Sequence, residues 1–143
     1  MSIRVELARP RDRERCLELI SGLTGAAPDA SWHETYAELL QQRRGAILLA
    51  REGEDVLGVA TISYNLAVRY GGDYCQLEEL IVDSRARGKQ VGRLLMERAI
   101  ECAREHGCAE MGLYLLESTE GNRAFYEKFG FEYTGSELRR RLR

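Results

Sequence analysis

Ile81-Val82-Asp83-Ser84-Arg85-Ala86-Arg87-Gly88-Lys89-Gln90-Val91-Gly92-Arg93-Leu94-Leu95 is the stretch on which the fold turns. Its first two residues close an apolar run that opens at Leu77, as the interior of a buried strand does. From Val91 the apolar period changes, and Leu94, Leu95, Ala99, Cys102 and Ala103 fall on one helical stripe that ends near His106, with Gly107 as the C-cap. The stretch is therefore strand, loop and helix N-terminus in succession. Backbone N–H groups at a helix start are unpaired and carry the positive end of the helix dipole, so they suit an anion such as a diphosphate. Gly88 and Gly92 allow the backbone to approach it, and Arg85, Arg87, Lys89 and Arg93 add four cations with no acid between them. Neither G-x-x-x-x-G-K-[ST] nor G-x-G-x-x-G occurs, which sets aside the P-loop and dinucleotide folds.

Working outward, Ile3, Val5 and Leu7 alternate with polar residues as a first strand, closed by Pro10 and followed by a short helix. Ser31 and Glu34 fit a capping box for a second helix through Tyr36, Leu39 and Leu40 toward Gln42. Residues 46–50, 56–66 and 74–82 read as three antiparallel strands joined by the turns at 52–55 and 71–73. After the long helix, residues 111–116 are almost continuously apolar, as expected of a strand covered on both faces and paired in parallel. A short helix over 122–129, stopped by Gly130, and a last strand over 131–142 complete the chain. The expected fold is α/β, a mixed sheet flanked by helices in the order β-α-α-β-β-β-α-β-α-β, with residues 1–143 forming one domain.

The 143 residues are 44% hydrophobic and 31% charged, an ordinary balance for a globular chain, and no apolar run approaches the ~18 residues of a membrane span. Arg4, Glu6 and Arg9 interrupt the start where a signal peptide would be apolar, which points to the cytoplasm. A net charge of -2 lacks the basic footprint of a nucleic-acid binder, and Arg139, Arg140, Arg141 and Arg143 read as charge protecting an edge strand. Cys16, Cys75, Cys102 and Cys108 form no C-x-x-C pair, and His33 and His106 are the only histidines, so no metal site is expected.

Glu78 and Glu79 interrupt the apolar run of the fourth strand, where a carboxylate is costly unless paired or useful. Strand alternation predicts that they face opposite sides of the sheet. Asn122 and Tyr126, four residues apart, share one face of the short helix, while Phe125 and Phe129 share another that can enter the core.

Over residues 77–135 the chain resembles the GNAT superfamily of N-acetyltransferases. The resemblance rests on Val82-Asp83, Arg87-Gly88-Lys89, Gly92 and Leu94-Leu95, and on the stretch Asn122-Arg123-Ala124-Phe125-Tyr126-Glu127-Lys128-Phe129-Gly130-Phe131. Arg85 and Gly88 match the family's acetyl-CoA motif, whereas Gln90 stands where Gly or Ala is usual. The loop is also similar to that of glucosamine-6-phosphate N-acetyltransferases, a subfamily with an acidic pair on the substrate side where Glu78 and Glu79 stand. By this resemblance the backbone at Leu80, Ile81 and Val82 would hold the pantetheine arm of acetyl-CoA. Arg87, Gly88, Lys89, Gln90, Val91, Gly92 and Arg93 would hold its pyrophosphate, Asn122 would touch the cofactor, and Tyr126 would protonate the departing thiolate. The base for the attacking amine is Glu79, Glu78 or a carboxylate acting through water. Expected partners are a small-molecule or protein amine, with no nucleic acid and no membrane, and a homodimer through the last strands is a candidate assembly. Trp32, His33, Tyr36, Tyr64, Arg69, Tyr70 and Tyr74 are candidates for the acceptor pocket. The alternative function is a catalytically silent acetyl-CoA-binding module.

Overall fold

The computed structural model describes residues 2–143, with side chains at 2–116 and 120–143. Five strands lie in sequence order: β1 (Ile3–Leu7), β2 (Gly45–Glu52), β3 (Asp55–Ala67), β4 (Gly72–Val82) and β5 (Met111–Leu113). The first four are antiparallel neighbours, and β5 joins β4 in parallel after the crossover helix α3 (Val91–His106). Helices α1 (Arg13–Thr24) and α2 (Ala30–Leu40) precede the main sheet, and α4 (Arg123–Glu127) follows it. No helix among the described residues is long and apolar enough to cross a membrane.

Side-chain alternation along β2 and β3 builds a core on each face. Ala46, Leu48, Ala50, Ala60 and Ile62 pack under α3, where Val91, Leu95, Met96, Ala99, Cys102 and Ala103 supply the helical stripe. Ile47, Leu49, Val56 and Val59 point the other way, against Cys16, Leu17, Leu19 and Tyr36 of α1 and α2. Gly58 permits the first contact, because a Cβ there would lie 2.9 Å from Val91 Cγ1 and 3.1 Å from the Ile81 carbonyl. The start of α3 is thereby seated on the sheet, and the loop before it inherits that position.

Three expectations are corrected. The α2 N-cap is Asp29, whose carboxylate accepts the N–H groups of Ser31 and Trp32, and the Ser31/Glu34 capping box does not form. A carboxylate already in place at residue 29 satisfies the donors that a serine two residues later would have served. β5 stops at Leu113, not at residue 116. The last strand over 131–142 is absent: residues 131–143 form no ladder, and Leu138 and Leu142 are 97% and 90% exposed. A strand exists only through a neighbour, and a three-residue β5 offers little edge to the adjoining arginine run.

Candidate active site

Strand β4 outruns its parallel neighbour. Only Cys75, Gln76 and Leu77 pair with β5, at Met111, Gly112 and Leu113, so the β4 backbone beyond Leu77 has no β5 partner. Glu78 and Glu79 are the first two residues past the parting, and Leu80, Ile81 and Val82 continue its open edge.

Contrary to strand alternation, both carboxylates lie on one side of the sheet. The β3/β4 register slips there: Ile62 faces Leu77 and Thr61 faces Glu79, leaving Glu78 as the extra residue of a β-bulge. Ser63 Oγ donates to Glu78 Oε2 at 2.6 Å, and the Thr61 hydroxyl donates to Glu79 Oε1 in a short contact. Thr61 and Ser63 share the side of β3 on which Val59 meets α1 and α2, opposite Ala60 and Ile62. Asn65 extends the row, its amide donating to Ser63 Oγ at 3.0 Å. Burial holds the Glu79 carboxyl above its ordinary range; the Thr61 bond works against that rise, and the charge of Glu78 adds to it. Glu78 is exposed, so the pair combines a desolvated carboxyl with a solvated one. Thr61, Ser63 and Asn65 were missed in the sequence, although their alternation with Ile62 and Tyr64 is a visible period-two signal.

The loop after β4 is anchored at its root by Asp83. This carboxylate accepts the backbone N–H and the guanidinium of Arg85, each at 2.9 Å, and the guanidinium of Arg15 at 2.6 Å. Arg15 also donates to the Val56 carbonyl at 3.1 Å, tying α1 to β3 and to the loop at once. These donors hold Asp83 far below the usual carboxylate range, the Arg85 side chain contributing most. Arg85 is therefore committed to Asp83 and is not a free cation. Lys89 pairs with Glu52 at 3.0 Å and Arg93 with Glu97 at 2.6 Å, both exposed, whereas Arg87 has no acidic partner among the described residues.

Beyond the loop, no side chain among the described residues caps the α3 N-terminus, and Arg87, Gly88, Lys89 and Gln90 are exposed around it. Gly88 takes φ +83 with open space where a Cβ would stand, as a backbone cradle for an anion requires. Gly92 serves differently: a Cβ there would meet Phe125 Cζ at 3.4 Å, so this glycine seats α4 against α3 as well as baring the helix start. Val82 lies at the same point, 3.9 Å from that Cβ position, and the Phe125 ring meets Tyr126 edge-on at 5.1 Å. Tyr126 is thus held at the corner where β4, α3 and α4 converge, half-buried, with burial raising its phenol above the ordinary value. Asn122 is the exposed N-cap residue of α4.

The aromatic candidates for an acceptor pocket are scattered. Tyr36 is buried and donates to the Arg9 carbonyl at 2.6 Å; Tyr64 stacks on His106 at 3.7 Å on the α3 side of the sheet; and Arg69 lies over Tyr70 and Tyr74 at the β3–β4 tip. Trp32 packs into the α1/α2 core, and His33 lies beside a shallow cleft with Leu17 and Pro28. The cleft under the first turn of α1 sets Arg11, Arg15 and Arg51 against Asp12, Glu54 and Asp55 and contains none of the predicted site residues. The cysteines are unbridged; burial pushes the thiols of Cys16 and Cys75 up to about 12, so both stay protonated near neutrality.

Among the described residues, an α3 start with no side-chain cap, a parted parallel pair of strands and a buried carboxyl just past the parting are the features from which a site can be built. The pattern of the family described as Acetyltransferase (GNAT) family matches residues 13–131. The chain belongs to the GNAT acetyltransferase family. It is 35% identical over 71 residues to a probable glucosamine 6-phosphate N-acetyltransferase 2 of Oryza sativa subsp. japonica, covering 50% of this chain and 41% of that protein. It is 27% identical over 124 residues to the glucosamine 6-phosphate N-acetyltransferase of Arabidopsis thaliana, covering 82% of this chain and 81% of that one. In fold it is similar to an aminoglycoside N-acetyltransferase solved in complex with CoA, with a TM-score of 0.87 at 21% identity over 99% of this chain and 95% of that chain.

Gln90 stands at the turn into α3 of this GNAT chain. It is the α3 N-cap and adopts φ +60, a left-handed conformation that costs a non-glycine residue about 1 kcal/mol. Its side-chain oxygen accepts from Arg93, so the residue replaces a small one at this turn while bracing the first turn of the helix.

Proposed function

We propose that residues 1–143 act as one domain that transfers an acetyl group from acetyl-CoA to a primary amine by direct attack in a ternary complex. The observation that carries this reading is the raised, half-buried Glu79 just past the parting of β4 from β5, on the strand that leads through the loop to the start of α3. Acetyl-CoA supplies the thioester; the pyrophosphate rests on the N–H groups from Gly88 to Arg93, with Arg87 as the first cation to meet it and Lys89 exchanging Glu52 for phosphate. The pantetheine arm lies along Leu80, Ile81 and Val82, whose open backbone edge also offers N–H groups to the oxyanion. Asn122 closes the cofactor side.

An alkylammonium with a pKa of about 10 is unreactive until deprotonated. Glu79 takes that proton directly or through a water, and a carboxyl raised above its ordinary range is a better base than an unperturbed one. The amine nitrogen then attacks the thioester carbon to give a zwitterionic tetrahedral intermediate; its collapse breaks the C–S bond, the thiolate takes a proton from Tyr126, the second nitrogen proton returns through water to the tyrosinate, and Glu79 releases its proton to solvent. Glu78, Ser63, Asn65 and Gln76 present acceptors and donors on the glutamate side of β3 and β4, which suits a small hydroxylated amine of the amino-sugar kind named for the curated relatives. The unbridged thiols suit a reducing, cytoplasmic compartment. The unpaired 131–143 segment, with Leu138 and Leu142 exposed, supports a homodimer in which it finds a strand partner.

The test is release of free thiol from acetyl-CoA across a panel of amines that includes glucosamine 6-phosphate. Intersecting initial-rate lines are expected, with Glu79→Gln lowering kcat/KM by roughly 10²–10⁴. Binding of acetyl-CoA without thiol release from any amine would favour the silent module instead.

A further inference from the structure

Thr61 is 2% exposed, and its hydroxyl performs two tasks on one residue of the neighbouring strand. Its oxygen accepts the backbone N–H of Glu79 at 3.1 Å, while its single proton goes to Glu79 Oε1. The register slips at this pair, with Glu78 bulged out beside it. A bulge leaves a residue without its regular ladder partner, and here a side chain replaces the missing ladder acceptor. Glu79 Oε2 has no hydrogen-bond partner among the described residues.

We propose that Thr61 is a positioning residue for the reaction: its hydroxyl locks the β4 bulge, fixes the Glu79 carboxylate through Oε1, and leaves Oε2 as the oxygen that receives the amine proton. This rests on the assignment of Glu79 as base. The hydroxyl also sets the strength of that base, because a donor to the carboxylate stabilises its charged form. Glu78 is the charged neighbour acting on Glu79 among the described residues; β3 faces it with neutral Thr61, and the flanking core near Val59 and Ile81 is apolar. Ser63 makes the parallel bond to Glu78, but from a less buried position and to an exposed carboxylate, so it lacks this leverage.

Thr61→Val keeps the shape and the β-branch while removing both bonds; Thr61→Ser keeps both. The readout is a ¹³C NMR titration of the glutamate carboxyls of the free full-length protein, with the Glu79 resonance assigned by its loss in Glu79→Gln. The valine variant is expected to raise the Glu79 midpoint by about 1 pH unit, and the serine variant to restore it. With an accepted amine, the acid limb of kcat/KM moves by the same amount. An unchanged or lowered midpoint in a folded Thr61→Val protein overturns the proposal, and Thr61→Ala carries the same titration should the valine variant not fold. Full turnover by Glu79→Gln would instead overturn the base assignment, whatever the titration shows.

Discussion

Tyr126 illustrates how burial and chemistry combine at one side chain. A thiol leaving group has a pKa near 8.5 and a phenol near 10, so full proton transfer is uphill by roughly 1.5 units, about 2 kcal/mol. Burial raises the Tyr126 phenol further, which adds to that cost, so in the proposed mechanism the transfer completes only as the C–S bond breaks. Tyr126→Phe retains the ring against Phe125 and Phe131 and loses only the proton. Steady-state kinetics are expected to show kcat falling roughly 10²-fold, with the KM for acetyl-CoA and the unfolding midpoint almost unchanged. Unaltered kcat would remove Tyr126 from the mechanism. The type of each of these residues was legible in the sequence, since Glu78 and Glu79 break an apolar run and Asn122 and Tyr126 keep helical spacing. The bulge was not legible: alternation places consecutive carboxylates on opposite faces, and only the cross-strand register at Thr61 and Ile62 brings them to one.

At the scale of elements, the junction of α1, β4 and the loop hangs on Asp83. Its pKa is depressed in the folded state, so its contribution to stability is fully present above the unfolded value near 3.9 and is lost as pH falls below it. Arg15→Met removes one of the donors that hold the pKa down while leaving every cation of the loop in place. Acid unfolding is expected to begin at higher pH, and the acetyl-CoA dissociation constant to rise several-fold as the loop loses its tether to α1. Calorimetric titration at neutral pH checks the second effect, and unchanged affinity would mean that the bridge serves α1 alone. The extent of α3 was readable, because its apolar stripe opens at Val91 and Gly107, at φ +84, closes it near His106. The tether was not, because Arg15 and Asp83 lie 68 positions apart and neither stands out from ordinary surface charge.

For the molecule as a whole, strand order followed from short connections and one crossover, whereas the strand expected over 131–142 finds no ladder partner within this chain. Arg139 already lies over Tyr114, 4.8 Å from its ring and just beyond β5. Light scattering is expected to give twice the 16.3 kDa chain mass, and deletion of residues 131–143 to give the monomer; a monomeric full-length chain would refute the pairing. The central claim, that the open edge of β4 and the start of α3 receive acetyl-CoA, is tested most directly by the thermal unfolding midpoint with acetyl-CoA, using ATP as the anion control. A ligand at ~100 times its dissociation constant adds about 2.7 kcal/mol, which for a chain of this size raises the midpoint by roughly 5–10 °C. Acetyl-CoA is expected to produce that rise and ATP to leave the midpoint in place; no shift with acetyl-CoA, or an equal shift with both, would contradict the account.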